Sequence, residues 1–298
     1  MKDFRRSLVV AVLAVAAIGC ERSKKPVPVD SGAATPANAA DSSVVARART
    51  WNSDIGPVLL IAGDSADKAV VLFPGDSSTR ANTARIPRPA SVTLLGRSGT
   101  VQTGEVPTIS DSGSCTVATV GGAPPPHAWN VGFIGGVVAP IPVDSTEAFT
   151  HADSVTAVTW MNRLASPLPN DPAGRFAGLP FVVRGLWRFK LAGGTEVVAA
   201  NLARQINQEA TPLQEHTFLI AEHPANDTTL ATAYFERSYG DEETIETHDV
   251  LAAVTLGASR QPALIVARDF GDENAFRIIE RVGSGRWRAG WSSPRRHC

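Results

Sequence analysis

Residues 181–200 read FVVRGLWRFKLAGGTEVVAA, and this stretch decides the fold class. Its first eleven residues alternate between apolar and basic side chains, the apolar ones being Phe181, Val183, Trp187, Phe189 and Leu191. A repeat of two residues is that of a β-strand with one buried face, not that of a helix. Gly193-Gly194 suits a tight turn, and residues 195–200 can return as the partner strand. The stretch therefore predicts a β-hairpin.

Further apolar runs follow the hairpin and are separated by polar or glycine-rich gaps. They lie at residues 218–221, 230–235, 250–256, 263–267, 276–282 and 286–291. Such spacing is typical of an antiparallel meander. In the last run the alternation predicts that Trp287, Ala289 and Trp291 share a buried face, with Arg286 and Arg288 on the solvated one. Residues 201–209 fit a strand or a helix.

The N-terminal half contains shorter apolar runs at residues 58–62, 69–73, 91–95, 116–120 and 129–138. It also contains one helical pattern, in which Asp153 or Ser154 is the predicted N-cap and Pro167 ends the helix. The apolar stripe of that helix consists of Ala157, Trp160, Met161 and Leu164. We therefore predict a mainly β fold of antiparallel hairpins or a meander with at least one α-helix, or alternatively a β-rich α+β fold. A loop at 166–175 divides it into parts at residues 50–170 and 176–298.

The four strand patterns after residue 250 have a spacing similar to one blade of an FG-GAP-type β-propeller. Those repeats carry an acidic calcium loop between their first strands. Residues 257–260 read Gly-Ala-Ser-Arg in the corresponding gap. The resemblance therefore implies a blade-like arrangement of strands but no calcium site.

The N-terminus has the layout of an export signal, with Lys2, Arg5 and Arg6 ahead of an apolar run at residues 8–18 that is too short to span a bilayer. The run ends in Ala17-Ile18-Gly19-Cys20, which resembles the lipobox of bacterial lipoproteins, although that family usually has Leu at the position of Ala17. The resemblance implies a signal peptide at 1–19 and a lipid, with acyl chains such as palmitate, on Cys20. Glu21, in place of Asp, favours the outer membrane.

The segment after Cys20 is a predicted flexible tether over residues 20–49. It has no aromatic residue and is rich in Ala, Ser, Pro, Asp and Lys, so it cannot bury enough apolar surface to fold. The expected location of the folded part is therefore the cell envelope, facing the periplasm or at the outer membrane.

Charge and cysteine content narrow the possible partners and covalent links. Without residues 1–19 the chain has 25 Lys and Arg against 28 Asp and Glu, a formal charge of −3 that gives no general attraction to nucleic acid. If Cys20 carries lipid, only Cys115 and Cys298 of the three cysteines remain. Outside the cytoplasm two such thiols are expected to pair, and a free terminal thiol that dimerises the chain is the alternative.

Gly63-Asp64-Ser65 follows a strand-like run and is similar to the opening of GDSL-type esterases, in which the serine is the nucleophile. That family also has a Gly-x-Asn-Asp block and a late Asp-x-x-His, and the sequence contains neither. A second Gly-Asp-Ser at 75–77 favours turns at both places, because these residue types are preferred in turns.

The densest acidic run, at residues 240–249, raises the possibility of a metal site. On a strand Glu246 and His248 share one face, and a carboxylate beside an imidazole can bind a divalent cation. A second acidic turn lies at 269–273. Neither has the spacing of a calcium loop, and a solvated acidic loop is the alternative, so Glu246 and His248 are candidates only. The sequence indicates no cofactor.

Three glutamates, Glu209, Glu215 and Glu222, recur beside His216 and His223. Paired carboxylates catalyse glycoside hydrolysis, whereas salt bridges to arginines are their alternative use. The leading hypothesis is a non-enzymatic binding or assembly lipoprotein, held to the membrane by its lipid and contacting envelope proteins or glycan but not nucleic acid. The alternative is an envelope hydrolase of glycans or esters that uses these glutamates or Ser65.

Overall fold

The computed structural model describes residues 58–65, 67–74, 86–122, 125, 127–169, 173–206, 212–225, 229–241 and 245–298. Within these ranges the chain forms sixteen β-strands, which pair antiparallel, and one α-helix. The predicted mainly β class is confirmed. The lipobox, the tether and the second Gly-Asp-Ser lie outside the described residues.

The first six strands close into an antiparallel barrel in the order β1-β2-β5-β4-β3-β6. They are β1 (Val58–Ala62), β2 (Lys68–Leu72), β3 (Ala90–Leu95), β4 (Val101–Ser112), β5 (Cys115–Gly121) and β6 (Val131–Ile134). Buried apolar side chains fill the interior, among them Leu60, Val92 and Trp129. A barrel of this size is a packed core, as expected for few strands.

Two features of the barrel differ from the sequence prediction. β4 was not predicted, because only Gly104, Val106 and Ile109 of its twelve residues are buried and a register shift follows Glu105. The apolar run at 129–138 contains only β6 and the first residue of the next strand, which begins at Val138, because Gly135 and Gly136 adopt φ angles of 77° and 84° and end β6. A mostly exposed strand has little apolar alternation from which it can be predicted.

The remaining ten strands form two five-stranded sheets. The central sheet, in the order β16-β15-β14-β13-β7, consists of β7 (Val138–Ile141), β13 (Thr247–Leu256), β14 (Gln261–Asp269), β15 (Asn274–Gly283) and β16 (Arg286–Ser292). The outer sheet, in the order β12-β11-β10-β9-β8, consists of β8 (Asp144–Ser145), β9 (Val182–Lys190), β10 (Glu196–Ile206), β11 (Leu213–His223) and β12 (Ala231–Asp241). The hairpin predicted from 181–200 is β9 and β10, and β10 continues as a strand to Ile206.

The central sheet is buried on both faces. On one face Val250, Leu264 and Ile279 pack against Val197 and Phe218 of the outer sheet. On the other face its side chains pack against the barrel, the central-sheet members including Val254, Ile265 and Ile278 and the barrel members Leu59 and Phe133. Two-sided burial explains why β13 and β14 are continuously apolar in sequence instead of alternating.

Helix α1 (His151–Ala165) covers the opposite face of the outer sheet, where Ala157, Met161 and Ala165 are buried. Its N-cap is Thr150, whose hydroxyl accepts a hydrogen bond from the backbone N–H of Asp153 at 3.2 Å, so the prediction of Asp153 or Ser154 as the cap was wrong. Asp153 instead lies in the first turn, where the negative charge of a carboxylate interacts favourably with the positive end of the helix dipole. No helix in the described part of the chain has the length and apolar character needed to cross a membrane.

The last strand contains a β-bulge that the alternation did not predict. Ile278 pairs with Trp291 and Ile279 pairs with Ala289, which leaves Gly290 as an extra residue. Because side chains alternate between the two faces of a sheet, one extra residue places every later side chain on the opposite face. Trp287 therefore packs between the two sheets and Trp291 packs toward the barrel, so the predicted shared face of these tryptophans was wrong.

A disulfide joins Cys115 at the start of β5 to Cys298, with their Cα atoms 5.7 Å apart. The tail after β16 connects the central sheet to this end of the barrel. The Ser114 hydroxyl donates to the His297 carbonyl at 2.6 Å, and Arg296 forms a backbone bridge with Asn274. The chain end is therefore bonded to both the barrel and the central sheet.

Cys298→Ser should destabilise the folded protein, because the bridge closes a loop of 183 residues. The loop-entropy relation gives an upper figure of about 5 kcal/mol for the lost free energy of unfolding. Denaturant titration without reductant measures this loss in the free energy of unfolding for three variants, namely Cys298→Ser, Cys115→Ser and the double variant. Equal losses in all three are expected, whereas a double variant as stable as the parent would contradict a stabilising bridge.

Candidate functional site

The space between the central and outer sheets changes from apolar to charged toward one end. The polar side chains there come from five strands and the segment before β13: Gln214, His216, Glu236, Ser238, Glu246, His248, Arg268 and Arg277. The strand period places them on the inner faces, in line with the apolar core residues Phe218, Val250 and Val266. Charges in such a place must be paired or bound to a ligand.

His248 lies at the centre of this region, with a side chain only 3% exposed. Its ring stacks on Phe218, with centroids 4.9 Å apart and planes at 16°. Nε2 lies 3.0 Å from Glu246 Oε1 and 3.3 Å from Glu236 Oε2. Neither contact has the alignment of a hydrogen bond. We call Glu236, Glu246 and His248 the acid–histidine cluster.

Two arginines hold the carboxylates of the acid–histidine cluster. Arg268 Nε donates to Glu246, and Arg277 Nη1 pairs with Glu236. Burial raises the pKa of Glu246, but its contacts with His248 and Arg268 outweigh burial and lower that pKa to about 2. Burial also raises the pKa of the neighbouring Tyr234 to about 12. At neutral pH the region therefore contains ionised Glu246 beside a neutral phenol.

His216 is a second buried imidazole beside the cluster. Burial, with the charge of Arg184 and the proximity of His248, lowers its pKa to about 4. Its Nε2 lies 2.8 Å from Gln214 Oε1. A hydrogen bond with the Glu246 backbone opposes this lowering of the pKa without reversing it. His216 is therefore neutral near pH 7.

Glu215 and Glu222 are close along the chain, but the structure places their side chains on opposite faces of β11. Glu215 faces the helix side of β11, where its Oε1 accepts from Arg204 Nε at 2.9 Å. Glu222 faces the central sheet and accepts from Arg281 Nε at 2.6 Å, from Gly285 N at 2.8 Å and from Trp287 Nε1 at 2.6 Å. Although burial opposes it, this hydrogen bonding lowers the pKa of Glu222. Glu209 lies outside the described residues.

Two other sequence candidates lie in turns. Ser65 is exposed in the turn between β1 and β2, where its carbonyl accepts from Lys68 N at 3.1 Å. In the acidic turn at 269–273, the Asp269 carboxylate accepts from Gly271 N at 2.8 Å. Both hydrogen bonds are typical of turns.

A cleft of about 700 Å³ opens between the barrel and the chain that enters the outer sheet. We call it the junction cleft. Its polar lining includes Arg97, Ser98, Thr100, Gln102, His127, Asn130, Asp144 and Ser145. Arg97 Nη2 binds both carboxylate oxygens of Asp249 at 3.0 and 2.8 Å, and Asp144 lies 3.5 Å from Arg188. Charges in the cleft are thus paired, and most of the other polar side chains in its lining carry hydroxyl or amide groups.

His127, on the rim of the junction cleft, has a φ angle of 65°. A positive φ is uncommon for a residue with a side chain and is concentrated at turns and functional sites. Sequence reasoning missed the cleft because its lining comes from loops and strand ends without a motif. It also missed Glu236, whose position opposite Phe218 follows only from the pairing of β11 with β12.

Neither Glu222 nor Glu246 is suited to accept a proton near neutral pH. A general base works best with a pKa near the working pH, and the pKa values of Glu222 and Glu246 are both lowered. No protein-family model matches the chain, and no curated protein or solved structure matches it significantly.

His216 should make folding stability depend on pH in a defined window. The folded-state pKa near 4 lies below the ordinary value of 6.5, so only the unfolded chain gains a proton between these values. The contribution of neutral His216 to the free energy of unfolding is complete above pH 6.5 and is lost as the pH falls to about 4. Urea unfolding at several pH values measures this loss. Between pH 6.5 and about 4 the free energy of unfolding should fall less for His216→Gln than for the parent.

His127→Gln is the control, because His127 is exposed in a separate part of the fold. Parallel curves for the parent and His216→Gln across this window would contradict the assignment of a buried neutral imidazole.

Proposed function

We propose that this protein is a lipid-anchored, non-enzymatic binding module of the bacterial cell envelope that takes its ligand in the junction cleft. The observation that carries the proposal is this cleft of about 700 Å³ with paired charges and a hydroxyl- and amide-rich lining. Binding sites are usually concave and place a few polar groups around a ligand.

The anchor part of the proposal is supported by the lipobox-like sequence ending in Cys20. A flexible coil of the length of the tether, residues 20–49, has an end-to-end distance of roughly 30 Å. Such a tether confines the folded part near one membrane while allowing the cleft to reach a partner.

The positions and arginine partners of two glutamates support the binding part of the proposal. Glu215 and Glu222 lie on opposite faces of β11 and are each held by arginine. They therefore do not form the facing pair that glycoside hydrolysis requires. Ser65 lies in an exposed turn away from the sheet interiors.

The chemistry of the junction cleft favours a polar peptide segment of an envelope protein as the ligand. Ser98, Gln102 and Asn130 offer donors and acceptors suited to peptide groups, and Pro142 and Val143 add apolar surface. Among the described residues of its lining there is no Trp, Tyr or Phe on which a sugar ring could stack.

A photo-reactive amino acid at Ser98 or Gln102 of the full chain should capture one envelope protein in intact cells, since both line the cleft. The matched control position is Val155, which is exposed on α1. Cys20→Ser should release folded protein from membranes and reduce the capture, because the tether then no longer confines the domain.

Three results would contradict the proposal. Capture of the same protein from Val155 would mean that the cleft is not the site. Capture of no protein from Ser98 and Gln102 would oppose a protein partner. Retention of Cys20→Ser on membranes after salt washes would show that the folded part itself binds there.

A further inference from the structure

We propose that Glu236, Glu246 and His248 form a binding site for one divalent transition-metal ion, with Zn²⁺ the best fit. The site lies between the two sheets and is independent of the junction cleft. One nitrogen and two carboxylate oxygens meet there from β12, β13 and the segment before β13, and these three atoms all lie within 4.8 Å of one another.

The distances between the donor atoms suit a single ion. Zinc bonds of about 2.1 Å in a tetrahedral arrangement place neighbouring ligand atoms about 3.4 Å apart. His248 Nε2 lies 3.0 Å from Glu246 Oε1 and 3.3 Å from Glu236 Oε2. One ion between them therefore needs only small side-chain movements.

The burial and hydrogen bonding of the His248 ring are the second observation that supports a metal site. Its side chain is 97% buried, given an exposed fraction of 3%, and its Nε2 faces both carboxylates without an aligned hydrogen bond. A buried polar atom without such a partner is costly. A metal ion would satisfy it in the same orientation, which stacking on Phe218 already fixes. Glu236 is 26% exposed, so an ion can reach the cluster from solvent.

The donor set selects the class of metal. Imidazole suits zinc and its neighbours, whereas Ca²⁺ requires six to eight oxygen ligands. Three protein ligands also leave a position for water or an anion.

Arg268 and Arg277 compete with the ion for the same carboxylates. Two carboxylates beside two guanidinium groups are already balanced in charge, so the ion adds two positive charges. This competition distinguishes the proposal from a purely structural ion-pair network. Removing the Arg268 charge should strengthen zinc binding, whereas in a structural network it would only destabilise the protein.

The test is calorimetric titration of the full chain, prepared without a polyhistidine tag, with zinc chloride and separately with calcium chloride. One Zn²⁺ per chain and no calcium binding are expected. His248→Gln should weaken zinc binding at least about tenfold, and Arg268→Gln should tighten it about tenfold. His223→Gln, on β11 outside the cluster, should leave it unchanged.

Circular dichroism checks that each variant is folded. If His248→Gln does not fold, the cobalt-loaded parent gives a second readout, because tetrahedral Co²⁺ with nitrogen and oxygen ligands absorbs in the visible range. Absence of zinc binding by the parent overturns the proposal. Equal zinc binding by the parent and folded His248→Gln, or a cobalt complex without tetrahedral absorption, also overturns it.

Discussion

Two-sided burial of the central sheet is the constraint on which the rest of the structure depends. β13 and β14 contribute Val250, Leu264 and Val266 to the core shared with the outer sheet and Val254 and Ile265 to the core shared with the barrel. Each side chain of this size contributes about 1.5–3 kcal/mol when fully buried. Separating either layer would expose one whole face of the sheet, so barrel, central sheet and outer sheet stabilise one another.

The same constraint determines where polar chemistry can lie. Inside the layers a charge is tolerated only with partners, and the acid–histidine cluster meets this condition with Arg268 and Arg277. At the seam between barrel and central sheet, Asp249 is paired with Arg97; burial nevertheless raises its pKa. The junction cleft lies beside this pair, where Arg97 forms part of its lining. Both candidate sites therefore lie at the edges of apolar layers.

The sequence predicted the elements that have a regular pattern. Alternation identified β9, and the apolar stripe at 157–164 identified α1. It could not predict β4, which buries few residues, or the side of the sheet that Trp291 occupies, because the bulge at Gly290 is a local departure from the repeat. Of the acid–histidine cluster, Glu246 and His248 are close in sequence and were recognised as candidates. Glu236 is brought to them by sheet packing, which no spacing along the chain reveals.

The central claim is that the barrel and the two sheets unfold as one unit because the central sheet is shared. Native-state hydrogen exchange of the full chain measures this directly, since it reports the free energy of opening for each segment. We expect the amides of β13 and β14 to exchange slowest, and the best-protected amides of β1, β6 and β10 to show the same opening free energy and denaturant dependence. Barrel amides that open at a much lower free energy while β13 and β14 stay protected would contradict it.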